Sequence, residues 1–150
     1  MEVIDRNAFN GADMNDTVFK YNHGDVAMIL ARASNNTLTM NTDDKGLRIS
    51  ADIIDTNNGT DVYKLIKRGD LNKMSFAFTV KSERTEVDKE NKIYTRTITA
   101  FDKIYDVAVV DFPAYDGTSI QARSKEYFVD LEKDLQEKQR RKKLLLMTYL

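Results

Sequence analysis

The apolar positions along this chain change period several times, and each change predicts a different element. Val26 to Ala31 is an unbroken apolar run, which reads as a buried strand. Thr37 to Asn41 alternates weakly before a turn at Asp43 to Gly46, so a hairpin or meander is expected there. Leu47 to Ile54 alternates apolar and polar residues at period two, as a half-buried strand does, and ends at the polar cluster Asp55 to Gly59. With Thr60 as its cap, a short helix places Val62, Leu65 and Ile66 on one face, and Gly69 stands where a left-handed residue closes a helix.

Leu71 to Lys81 predicts a strand with Met74, Phe76, Phe78 and Val80 on one face and Ser75, Ala77 and Thr79 on the other. Ile93 to Ala100 and Lys103 to Val110 are rich in β-branched and aromatic residues and predict two more strands, with the polar stretch Glu83 to Lys92 as a hairpin loop before them. The sole proline, Pro113, ends that series. From Ser124 there is no Gly or Pro, and Phe128, Leu131 and Leu135 recur at helical spacing ahead of the basic run Lys138 to Lys143 and the apolar end Leu144 to Leu150. The expectation is a mainly antiparallel β domain over residues 1–123, with one inserted helix, and a helical tail over 124–150. Several short, closely spaced strands favour a closed barrel over a sandwich.

Composition narrows the chemistry. At 150 residues, with 41% hydrophobic and 31% charged, the chain suits one domain with one core, and no apolar run is long enough to span a bilayer as a helix. Met1 to Gly11 mixes charged and apolar residues and does not read as a signal peptide. With no Cys and one His, a disulfide framework, a thiolate metal site and a Cys nucleophile are excluded, and the lack of Cys fits a reducing cytoplasm. The net charge of −1 gives no global attraction to nucleic acid or an anionic membrane. It is unevenly placed, because residues 124–150 carry +2 and residues 1–123 carry −3.

His23 is the only imidazole, and it sits in a polar turn, Tyr21 to Asp25, at the mouth of a strand. A lone loop histidine is more often just a solvated polar residue. Ser75 is the odd member of an apolar strand whose aromatic face fixes the backbone while the hydroxyl points the other way, which is the placement a nucleophile needs. Its bland reading is a solvent-facing serine, and Ser34, Ser50, Ser82, Ser119 and Ser124 compete with it. Asp106 interrupts an apolar strand and is a candidate to orient the imidazole, with Asp111 as its rival. Asp43-Asp44 and Asp61 with Asp70 lack calcium-loop spacing and a neighbouring His, so turn formation explains them better than a metal site. The six glycines are scattered singly, with no phosphate loop, and the run Lys138 to Lys143 reads as a solvated helix face rather than a nucleic-acid contact.

In order, the segments Glu2 to Phe9, Asn22-His23-Gly24-Asp25, Leu30-Ala31-Arg32, Asp44-Lys45-Gly46-Leu47, Arg68 to Phe78 and Asp106 to Tyr115 resemble the tailed-phage prohead proteases. These serine endopeptidases cleave scaffold and capsid protein during head maturation and share the antiparallel β-barrel fold of the herpesvirus assemblins. The resemblance covers residues 2 to about 123 with order and spacing intact. It implies His23 as general base and Ser75 as nucleophile, and Asp106 as the third residue, where family members usually show an acidic residue, often Glu. The herpesvirus relatives use a second His there, which this chain lacks. Ala31 stands where the family has Gly, and Ala108 where Ser is common. Family members also carry strand-like sequence ahead of the match to Glu2, so a domain without that first strand is expected.

For the oxyanion, Arg68 or backbone N–H groups near Gly69 are candidates because they lie just before Ser75. No cofactor is expected. The implied substrates are the major capsid protein and scaffold protein of a phage, met inside the assembling prohead in the host cytoplasm, with no need for nucleic acid or membrane. The tail's apolar stripe implies a partner surface, either the β body of the same chain, a second copy or a scaffold-like protein; self-association is the favoured of the three, a twofold homodimer being the commonest closed form. Two other readings compete: a non-catalytic capsid-assembly or scaffold-binding module of the same fold, and a generic β-barrel binding domain with an oligomerising tail.

Overall fold

The β-branched and aromatic segments become strands in the order β1 (Glu2–Ile4), β2 (Val18–Tyr21), β3 (Ile29–Arg32), β4 (Leu38–Asp43), β5 (Gly46–Ala51), β6 (Lys73–Asp88) and β7 (Ile93–Val110), with the helix α1 (Asn57–Arg68) between β5 and β6. The computed structural model describes residues 1–113 and 117–120, all within the unit Met1–Ile120. The protein is thus mainly β with one α-helix among the described residues. The helix expected from Ser124 onward lies outside them.

β7 is the axis of the sheet. It pairs antiparallel with β6 from Lys73↔Val110 to Asp88↔Ile93. On its other side it pairs parallel with β1 at Arg96 to Ile98 and with β2 at Asp106 to Val109, and β3 adds antiparallel to β2. One face carries the aromatic core. The rings of Phe78 and Phe101 lie 4.6 Å apart and those of Phe9 and Phe101 4.8 Å apart, with Phe76 5.6 Å from Phe101. Phe19, Ile98, Ile104 and Val109 are sealed from solvent alongside them, and each such side chain contributes about 1.5–3 kcal/mol on burial.

Several expectations need correction. The sheet does not close among the described residues: β3 and β6 are its two ends, and β4 pairs only with β5 in a separate two-stranded sheet. Two expected strands, Ile93 to Ala100 and Lys103 to Val110, form the single strand β7. Phe101 and Asp102 make no turn, because Phe101 is needed in the ring cluster and register shifts that skip Tyr105, Asp102 and Thr99 of β7 and Lys81 of β6 take up the bend. The expected loop Glu83 to Lys92 is mostly ladder, and only 89–92 turn. There the Asp88 carboxylate accepts the N–H groups of Glu90 (3.0 Å) and Asn91 (3.1 Å).

In the run Val26 to Ala31 only β3 is strand. Val26–Met28 forms a 3-10 turn in which the Met28 N–H donates to the Asp25 carbonyl (3.0 Å), leaving Val26 83% exposed. α1 is capped by Thr56 rather than Thr60: the Thr56 hydroxyl accepts the Gly59 N–H (3.1 Å). Its buried Val62 and Ile66 and its left-handed Gly69 (φ 95°) fall where the pattern placed them. The β4–β5 hairpin turns at Asp44-Lys45, with the Lys45 N–H donating to the Asp43 carboxylate (2.8 Å). No helix among the described residues is long and apolar enough to cross a membrane.

Candidate active site

Register decides which side chains meet. Ser75 lies opposite Ala108 and Ala77 opposite Asp106 across β6 and β7, while Val18 lies opposite Asp106 and Lys20 opposite Ala108 across β2 and β7. Opposed residues share a face, so Ser75, Asp106 and Lys20 stand on the side of the sheet turned away from the Phe76 and Phe19 rings. Ser75 and Asp106 are diagonal neighbours, with a spacing of ~7–8 Å between their strand positions.

His23 reaches this face from the end of β2. Asn22 (φ 48°) and His23 (φ 53°) both take the left-handed conformation, which costs roughly 1–2 kcal/mol for each non-glycine residue. A set of hydrogen bonds holds them there. The Asn22 N–H donates to the Val109 carbonyl (2.9 Å), its side-chain amide donates to the Asp111 carboxylate (2.9 Å), and its side-chain carbonyl accepts the Asp111 N–H (3.1 Å). The Tyr21 hydroxyl donates to the same carboxylate (2.9 Å), and that bond holds the phenol's pKa above its ordinary value. Gly24 closes the turn through its N–H to the Tyr21 carbonyl (2.9 Å). A Cβ there would stand 3.0 Å from that carbonyl oxygen and 3.1 Å from the Met28 side chain, so any larger residue must push its neighbours back by a few tenths of an ångström.

The turn delivers the imidazole onto Asp106, with Nδ1 2.5 Å from Oδ1. The carboxylate side chain is 11% exposed and the imidazole 36%. A neutral imidazole that donates Nδ1–H to this carboxylate leaves Nε2 as a free acceptor, the state a general base requires. Asp111, the rival for this contact, instead clamps the turn through Tyr21 and Asn22.

Ser75 is half-buried, and its hydroxyl makes no hydrogen bond among the described residues. The strand edge beside it is tied down by the Thr118 hydroxyl, which accepts the Met74 N–H (2.9 Å) and donates to the Met74 carbonyl (2.8 Å). The Ile120 N–H adds a bond to the Asn72 carbonyl (3.3 Å). Arg68 makes no ion pair or hydrogen bond with this cluster among the described residues. Its guanidinium is paired with Asp70 at 2.5 Å, its side chain is 75% exposed, and the pairing holds the Asp70 carboxyl below its ordinary range.

Sequence reasoning passed over the supports. Tyr21, Asn22 and Gly24 hold the imidazole in place, and only the odd cluster of turn-formers ahead of β3 signalled them.

A family model for the caudovirus prohead serine protease matches residues 1–131, and the chain belongs to that family. No curated protein and no solved structure matches it.

Proposed function

We propose that this protein is the endopeptidase of a phage prohead, cleaving capsid and scaffold protein with Ser75 as nucleophile, His23 as base and Asp106 as the residue that orients the base. The observation that carries this reading is the His23–Asp106 contact, made on the face that Ser75 shares. His23 Nε2 takes the Ser75 proton as Oγ bonds to the peptide carbonyl carbon. The imidazolium, steadied by Asp106, then gives that proton to the leaving amine, and water hydrolyses the acyl-enzyme. Catalytic hydrogen bonds in unliganded enzymes are often completed only with substrate, so the unpaired Ser75 hydroxyl is compatible with this role. The site of action is the prohead interior, and residues 124–150, with the Phe128, Leu131 and Leu135 stripe, serve self-association.

The unpaired hydroxyl also favours a second reading, a non-catalytic assembly module of the same fold. A fluorophosphonate probe on the purified full chain separates the two. Labelling at Ser75 that disappears in His23→Ala supports the protease, together with capsid-protein cleavage lost to the same floor in Ser75→Ala, His23→Ala and the double variant. No labelling and no cleavage gives the assembly module.

A further inference from the structure

The face shared by β6, β7 and β2 holds a cation with no role so far. Lys20 lies opposite Ala108, and Ala108 lies opposite Ser75, so one row across the sheet reads Ser75, Ala108, Lys20. Neighbouring strands are ~4.8 Å apart, which puts the Ser75 and Lys20 backbones ~10 Å apart. Only the methyl group of Ala108 stands between them in that row. A four-carbon stem that ends in a compact ammonium can span one intervening strand.

On the neighbouring strand β3, Arg32 is paired with Asp16. Lys20 is half-buried and has neither an ion pair nor a side-chain hydrogen bond among the described residues. An ammonium without an ion pair is free to bond a negative charge that forms on this face.

Acyl transfer at Ser75 creates such a charge. We infer that Lys20 donates a hydrogen bond to the oxyanion of the tetrahedral intermediate formed on Ser75. The inference rests on the protease reading above and gives the oxyanion a partner other than Arg68, whose guanidinium is held by Asp70. As the Oγ–C bond forms, the Ser75 proton passes to His23 Nε2 and the carbonyl π pair moves onto oxygen, which then carries the negative charge. Lys20 binds that oxygen and keeps its own proton. When the intermediate collapses, the C=O bond re-forms, the C–N bond breaks, and His23 returns its proton to the departing amine.

The test uses p-nitrophenyl acetate with the full chain. Its acetyl group has no side chain for a lysine to recognise, so the burst of nitrophenolate reports acylation alone. Lys20→Met is expected to slow acylation by about 10²–10³-fold with apparent ester binding unchanged within about twofold and the melting temperature preserved. Lys20→Arg is expected to recover about tenfold or more of that loss, since it restores a donor cation. A burst at the wild-type rate in Lys20→Met overturns the inference, as does weaker ester binding with acylation unchanged. If Lys20→Met melts early, Lys20→Gln is read in the same way. A wild-type burst that vanishes in Ser75→Ala but persists in the Lys20 variants sinks only the Lys20 assignment. Absence of any Ser75-dependent burst in the wild type overturns the protease reading and this inference with it.

Discussion

The ladder of β6 and β7 has two ends with opposite surroundings. At the inner end, Asp106 to Val110 are all buried, flanked by β6 on one side and β2 on the other. At the outer end, residues 81–94 are exposed, and Val87, Ile93 and Tyr94 lie open to solvent at 59%, 46% and 56%. The backbone pairing continues through both. Side-chain cover is what differs, and a two-stranded ribbon without it is only marginally stable in water. Ladder hydrogen bonds set the course of a strand, whereas packing locks its rotamers, and the candidate site lies where they are locked.

Asp106→Asn should separate the two ends most sharply. It keeps the shape of the inner end but removes the charge that fixes the imidazole, so cleavage should fall by about 10⁴-fold, measured as kcat with thermal unfolding as control. Phe101→Ala should come next. It empties the ring cluster midway along the ladder and should cost about 3–5 kcal/mol in urea unfolding. Asp111→Ala removes the clamp on Tyr21 and Asn22, and a loss of about 1–2 kcal/mol is expected together with a cleavage loss on the order of tenfold; a loss equal to that of Asp106→Asn would give Asp111 the orienting role. Val87→Thr at the outer end should change stability by less than about 0.5 kcal/mol. A larger effect would show that the arm is packed against something.

The smallest effect is set by pH. Hydrogen bonds from Asn91, side chain first, hold the Asp88 carboxyl below its ordinary value of 3.8. Because the folded-state value is the lower one, this contribution to the turn is complete above the ordinary value and is lost as pH falls through the folded one. Amide exchange at Asn91 should therefore accelerate in acid before exchange at Val107 does.

Reading the sequence worked where one face is dry and failed where both faces share one environment. Met74, Phe76 and Phe78 alternate because the aromatic core takes one face, and the rings of Phe76 and Phe78 do meet, at 5.1 Å. Residues 83–88 are wet on both faces, so no alternation marked them as strand. Val26 to Ala31 failed in the reverse sense, since an apolar run does not say where a turn precedes a strand. His23, Ser75 and Asp106 could be named from the sequence, but which of Asp106 and Asp111 meets the imidazole depends on strand register, which has no local sequence signature, and on the left-handed pair Asn22-His23, which the run of turn-forming residues marks only as a turn.

The place of β7 at the centre of the sheet has a consequence for synthesis. β1 and β2 are made first, yet the strand both pair with is β7, made last of the seven. His23 and its carboxylate partner are 83 residues apart in the chain. Pairings of such long range form slowly, and a chain emerging from the ribosome at roughly 5–20 residues per second leaves β1 and β2 without their β7 partner for several seconds. Until β7 appears the imidazole has no carboxylate beneath it, so a nascent or prematurely ended chain lacks the His23–Asp106 contact.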